Sequence, residues 1–434
     1  MRRAATIVSA GVVSAGLVLA GCGSGDGDGD GAGTGGGDGP VTLTFQSLAF
    51  QPESIEANQQ IIEQWNADNP DIQVEYLQGD WASVQDQLVT AFEGGTAPDL
   101  VHYESSYLQD FADRGWILDI TDLVPDEMTD DILDGAWEAV TFDDSVYAVP
   151  FLLDAQVIFA NKALLDAAGI PVPAPDDPWT WDEFADISTQ LTDADTFGVA
   201  WTLKDPANRM LNLAMNFGGA FFEESDGAST AIFGDAEKEA FQRIHDQLYV
   251  DKSAATDAIG MGGSDPLPGF FAGQYAMLPK GIWFRQQIID QAPEGFEYVT
   301  IPALEGDSQT QAAAPQTISI AAESEHPEEA MAFLEYMLNP ENQALLAKGD
   351  WMIPASSAAA EDPVLTETPD WPVAAASGTF LEQAPFQRVR GYEEWKNKVA
   401  NPSIEEFFAN SISLDELGTR LTEDGNEILE RYNR

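Results

Sequence analysis

Along the chain, short apolar runs that alternate every second residue are interleaved with longer stretches whose apolar residues recur every third or fourth position. Val41 to Phe45 predicts a strand, and Ile55, Ile61, Ile62 and Trp65 fall on one face of a helix that stops before Asn69-Pro70. Ile72, Val74 and Tyr76 alternate as a second strand, after which Val84, Leu88 and Phe92 mark a helix halted by Gly94-Gly95. This βαβ order predicts a mostly parallel sheet with covering helices. Further on, Val146 to Val149 and Gln156 to Phe159 are β-branched and aromatic runs of strand length, and Pro150 is expected to bar the first from continuing as a central strand. Asn208 to Gly219 reads as a helix ending in a glycine pair. A strand from Gln316 to Ala321 leads into the helix Pro327 to Leu338, whose stripe is Ala330, Phe333, Leu334 and Met337; from about Ala376 the pattern is helical.

Two places depart from simple patterning. Thr180-Trp-Asp-Glu-Phe184 is a capping box, with Thr180 as N-cap and Glu183 three residues on. Asp154 stands between the two strand-like runs among apolar neighbours, where an unpaired carboxylate is costly. It lies either on an exposed bend against water or at a crossing between lobes, held out to a polar ligand.

The ends of the chain change the picture. Arg2 and Arg3 precede an apolar, small-residue run from Ala4 to Leu19, and Leu19-Ala-Gly-Cys22 resembles the bacterial lipobox, so residues 1–22 are expected to be a lipoprotein signal peptide and Cys22, the only cysteine, a lipidation site. Residues 23–40 alternate Gly with Asp and contain no large apolar side chain. Such a segment is a tether with a root-mean-square span of about 25 Å. The remainder, Val41 to Arg434, is long enough for two domains. Against 74 acidic residues stand 19 Lys and Arg, and loss of Arg2 and Arg3 takes the formal charge from −55 to −57. A field of that sign repels nucleic acid and anionic lipid, so neither is expected as a partner.

Several segments resemble the family 1 extracellular solute-binding proteins of ABC importers, the group that includes maltose-binding protein. Phe159-Ala-Asn-Lys-Ala-Leu-Leu-Asp-Ala-Ala-Gly-Ile170 is similar to that family's "YNKxLLxxAGI", with Ala160 where tyrosine is usual. Thr96-Ala-Pro-Asp-Leu-Val101 resembles "G(T/S)xPDV", and Phe270 to Trp283 resembles "FxxGxxAMxxxGxW". Thr180 to Phe184, Asn339 to Gln343 and Gly349 to Pro354 resemble further family segments. The resemblance implies an α/β, two-lobed periplasmic-binding-protein-like fold of type II, each lobe a mostly parallel sheet flanked by helices, joined by a multi-crossing hinge. Residues 41–153 plus 316–375 would form the first lobe, and 154–315 plus 376–434 the second.

It also implies a function: capture of a carbohydrate, expected to be an oligosaccharide, and delivery to the transmembrane permease of an ABC importer. The protein is expected to be a monomer, lipid-anchored to the outer face of the cell membrane. The ATPase would be a separate chain, since no G-x-x-x-x-G-K-[ST] loop occurs here. Trp283, Trp81, Tyr103 and Phe50 are the expected stacking faces, with Glu104, Asn216 and Arg285 as hydrogen-bonding residues and Asp154 as an acceptor at the crossover. Trp283 reads equally as a core aromatic, and Asn216 as a surface amide. Two other classes remain open. Glu104 and Asp154 could serve a glycoside hydrolase as acid and nucleophile, and a site of aromatics and carboxylates also suits a polyamine. His102, His245 and His326 are the only histidines, and their scatter argues against a metal site. No catalysis, cofactor or metal is expected.

Overall fold

The computed structural model describes residues 39–433 apart from 226. Two sheets organise it, and their strands are, in chain order, β1 (Val41–Ser47), β2 (Ile72–Gln78), β3 (Leu100–Glu104), β4 (Val149–Leu153), β5 (Gln156–Asn161), β6 (Phe197–Val199), β7 (Tyr275–Gly281), β8 (Tyr298–Ile301), β9 (Pro315–Ile320) and β10 (Ile353–Pro354). The first sheet has the order β10-β4-β9-β3-β1-β2, and the second β8-β5-β7-β6. Within the first, β1 runs parallel to β2 and β3, as the βαβ pattern requires, but β9 lies antiparallel between β3 and β4 and β10 antiparallel to β4. In the second, β5 is antiparallel to both β7 and β8, so neither sheet is the mostly parallel one expected, because strands reached by the returning chain enter in the opposite direction. Alternation in β1 turns Leu43 and Phe45 inward, where Phe333 meets Phe45 at 6.3 Å and Trp65 at 5.6 Å between ring centroids. The second sheet packs against Trp181, Trp201 and Phe184, and the chain after Ala384 adds Trp395, Phe407 and Phe408 to the same core.

Pro150 does not end its strand. It lies inside β4, which pairs on one side with β9 and on the other with β10. The register with β9 shifts there, Gln316 facing Leu152 and Thr317 facing Pro150, so that Phe151 is the extra residue of a bulge. A bulge relieves proline of the ladder bond it cannot make, and the short β10 reaches only Leu152 and Leu153. The helix expected from Asn208 is also shorter: it spans Ala207–Ala214 and tightens into a 3-10 turn, Met215–Phe217, before Gly218 takes a φ of 76°.

The chain passes between the sheets three times. The first passage is Asp154-Ala155, between β4 and β5; the second follows the short strand Gln311–Ala312 into β9; the third precedes Leu381–Glu382. Gln311–Ala312 and Leu381–Glu382 pair as a parallel ribbon. Gln311 ties this ribbon to the first passage, because its buried side-chain oxygen accepts from the Gln156 N–H at 2.6 Å. The segment that follows the ribbon reaches across to the elements after β3: Arg390 meets Asp113 at 3.1 Å, and Lys396, paired with Glu393 at 2.6 Å, lies 4.9 Å from the Tyr107 ring centroid.

Replacing Gln311 by Ala leaves the Gln156 N–H buried without its acceptor, which costs about 1–3 kcal/mol. Urea unfolding of Gln311→Ala should register a loss of that order, and Gln311→Glu, which buries a charge and turns an oxygen toward the Gln156 carbonyl, should lose at least as much.

Candidate functional site

Between the two bodies lie adjoining chambers, an inner one of about 330 Å³ and an outer one of about 540 Å³. Glu104, Gly263, Trp283, Gln316 and Met352 border both. The site sits beyond the carboxyl end of β3, where open α/β sheets place their ligands.

Asp154 occupies the inner chamber at the first passage. The Ile282 N–H donates to Oδ1 at 3.0 Å and the Gln156 side-chain amide to Oδ2 at 3.2 Å. Burial pushes its carboxyl up to about 7, against the opposing pull of the Ile282 N–H and the Arg209 charge. Gly281 makes the approach possible: a Cβ there would stand 2.3 Å from Asp154 Oδ2 and 2.4 Å from Trp283 Nε1. Glu104, at the end of β3, borders both chambers, and burial raises its pKa while Lys396 opposes the rise.

The outer chamber is aromatic. Trp283 meets Phe50 edge to face, with centroids 6.1 Å apart, and Phe50 is 45% exposed. Trp81 completes this wall, edge-on to His102 at 5.8 Å. His102 is held neutral, its pKa driven down to about 4 by burial. Its Nδ1 accepts from the Leu48 N–H at 3.0 Å, which leaves Nε2–H to donate to Gln316 Oε1 at 2.9 Å. The Gln316 amide is thereby oriented, with its nitrogen 3.2 Å from Met352 Sδ. Asp350 Oδ1 and Gln287 Oε1, on residues that line this chamber, are buried acceptors with no partner among the described residues.

Five of the eight residues expected at the site therefore border the chambers: Phe50, Trp81, Glu104, Asp154 and Trp283. The structure places the other three elsewhere. Tyr103 is buried beneath the first lobe, stacked on Tyr107 at 4.3 Å, because alternation along β3 sends it to the face opposite Glu104. Asn216 is 2% exposed and joins Trp181 Nε1, at 3.1 Å, to the Thr310 carbonyl, at 2.9 Å. Arg285 donates through Nε to Asp370 at 2.5 Å and lies 3.9 Å from the Trp351 ring centroid, with Tyr298 and Thr300 also binding Asp370.

Sequence reasoning passed over Arg209 and Lys280, which line the inner chamber. Lys280 had a visible signal, a lysine inside the apolar run before Gly281. Arg209 had none beyond its place near the start of the helix whose far end supplied Asn216. Among the described residues no group of three or more His, Cys, Asp or Glu is arranged to hold a metal ion, and no helix is long and apolar enough to cross a membrane.

Two α/β bodies joined by three passages around a part-polar, part-aromatic cleft define a receptor that encloses its ligand between lobes. The chain belongs to the bacterial extracellular solute-binding protein family, whose model matches residues 51–344. Members of that family are binding proteins rather than enzymes. An uncharacterized lipoprotein in the oleD 5' region of Streptomyces antibioticus is 44% identical over 86% of this chain and 84% of its own. Among solved structures, an ABC substrate-binding protein from Listeria monocytogenes in complex with cycloalternan has a TM-score of 0.77 at 22% identity, covering 90% of this chain and 99% of that one. The GacH receptor of Streptomyces glaucescens, solved unliganded and with acarbose, has a TM-score of 0.76 at 20% identity, with coverage of 90% and 99%. These likenesses establish the two-lobed fold.

A carboxyl whose folded pKa lies above its unfolded value stabilises the fold at low pH and loses that contribution as pH rises through about 7. Asp154→Asn removes the penalty. In differential scanning calorimetry of the ligand-free protein, the variant should approach wild type only below about pH 4, draw ahead as pH rises toward 7, and melt about 2 °C or more above it at pH 8.

Proposed function

We propose that the protein is the substrate-binding lipoprotein of an ABC importer, and that it captures a carbohydrate between its lobes for delivery to a transmembrane permease. The observation that carries this reading is the outer chamber. Trp283, Phe50 and Trp81 offer flat apolar faces beside the polar side chains of Glu104, Gln287 and Gln316. A sugar ring presents the complement, an apolar C–H face bordered by hydroxyl donors. The cycloalternan and acarbose bound by the two structural relatives support the same class. A polyamine fits less well, since Arg209 and Lys280 line the chamber that holds Asp154. Catalysis plays no part: both Asp154 oxygens accept hydrogen bonds from the protein, which suits holding a ligand better than attacking one.

In this reading the lobes, 41–153 plus 316–375 and 154–315 plus 376–434, close about the three passages. Of the signal peptide, residues 1–22, all but Cys22 is removed; Cys22 carries a lipid, and residues 23–40 form the tether. Cys22 and most of the tether lie outside the described residues. The mature protein is a monomer on the outer face of the membrane, partnered by the permease and a separate ATPase.

A thermal-shift screen across sugars, polyamines and peptides tests the ligand class, and stabilisation by polyamines or peptides alone would sink it. With the ligand in hand, Trp283→Ala should weaken binding roughly thirtyfold, the effect of losing about 2 kcal/mol from a central aromatic; an equal affinity by calorimetry would return Trp283 to a packing role. Cys22→Ala should release the protein from washed membranes into the soluble fraction, and retention after a salt wash would refute the anchor.

A further inference from the structure

Two basic side chains of the inner chamber, Arg209 and Lys280, have no carboxylate in contact, and a neutral sugar leaves them so. Lys280 belongs to β7, which is buried at every position, and it is 3% exposed while lining the chamber. Its ammonium donates to the Gly263 carbonyl at 3.2 Å and lies 4.8 Å from the Phe284 ring centroid. No carboxylate of the described residues comes within 4.0 Å of it. An ammonium so buried, with one carbonyl and a ring face in place of a counter-ion, is costly.

Arg209 deepens the imbalance. Its Nη1 donates to the Thr202 carbonyl and hydroxyl at 2.9 and 3.1 Å, and it too has no carboxylate within ion-pair distance. The Asp154 field reaches Arg209, whereas Lys280 feels Arg209 as a like charge and has only Asp265, which does not line the chamber, as an opposing one. Each of the two basic groups thus has one opposing charge at a distance and none in contact.

We propose, on the basis of the carbohydrate reading, that the ligand is an acidic saccharide, a sugar bearing a carboxylate that sits between Arg209 and Lys280 while its neutral rings extend into the aromatic outer chamber. The two chambers adjoin at Glu104, Gly263, Trp283, Gln316 and Met352, and the proposed ligand would reach across that border. A carboxylate fits better than a doubly charged phosphate, because Asp154 and Glu104 line the same chamber and would repel the second charge. Such a group meets the Arg209 guanidinium and the Lys280 ammonium through charge-assisted hydrogen bonds. Burial, together with Arg209, drives the Lys280 pKa down to about 6, so near neutral pH the amine of the empty cleft is largely uncharged, and a bound carboxylate restores the ammonium by uptake of a proton.

The test is calorimetric titration of the mature protein with a panel of di- and trisaccharides carrying glucuronate or galacturonate, each beside its uncharged methyl ester, and with neutral malto-oligosaccharides. At least one acid should bind, and its ester should bind about tenfold or more weakly. Lys280→Met should narrow that gap while the ligand-free melting temperature holds or rises, since an apolar chain of similar length replaces a desolvated cation. Should Lys280→Met fail to fold, Arg209→Gln on the chamber wall provides the second variant, with the same narrowing expected. Equal binding of acid and ester, or a gap that both substitutions leave intact, would overturn the inference. Tight binding of neutral saccharides alone would overturn it and leave the carbohydrate reading standing; a panel in which no saccharide binds would overturn both.

Discussion

The architecture turns on one close approach, that of the Asp154 carboxylate to the backbone between Gly281 and Ile282. Asp154 lies on the first passage between lobes, and Ile282 follows directly on the strand that forms the middle of the second sheet. Their hydrogen bond pins the passage to that strand, and the missing side chain at Gly281 supplies the room. The same gap admits the edge of the Trp283 indole. A buried carboxyl, a tryptophan and a turn of backbone are thus held together by the absence of a single carbon atom. Asp154 is strained electrostatically as a result, with its charge only partly answered by one backbone N–H, one amide and the more distant Arg209.

Charge inside the cleft is organised differently from charge over the whole chain. Acidic residues outnumber basic ones about fourfold overall, yet the inner chamber is lined by Lys204, Arg209 and Lys280 beside Glu104, Asp154 and Asp205. Surface acids repel one another through water and salt, where a Debye length of about 8 Å mutes them. Chamber charges act through little solvent, so each unanswered one weighs more. A near-balanced pocket in a strongly anionic body lets an anionic group enter a region that the outer surface would otherwise disfavour.

How far the sequence could be read follows from whether the deciding contact was local. The alternation of β1 and β2 and the capping box at Thr180 each depend on neighbours within a few residues, and they were legible. Pro150 was misjudged because the bulge that accommodates it is created by β9, far along the chain. Site residues divide in the same way. Trp283 and Glu104 could be placed at strand ends, and both border the cleft; Arg285, two residues beyond Trp283, was drawn off by Asp370, and Asn216 by Trp181 and Thr310. Tyr103 was a matter of parity, one position removed from Glu104 along an alternating strand. Lys280 was the anomaly that patterning already displayed, a cation in a run that had to be buried.

The knot at Gln311 has a consequence for anything that touches the protein from outside. Three passages bound to one another at one level resist sliding and separation, while bending about the line they share strains few bonds. A hinge tied in that way has a single soft coordinate. In the proposed closure, empty and filled forms would differ chiefly in one angle, and a docking partner that tests the spacing of two surface points, one on each lobe, would receive the whole message without contacting the ligand.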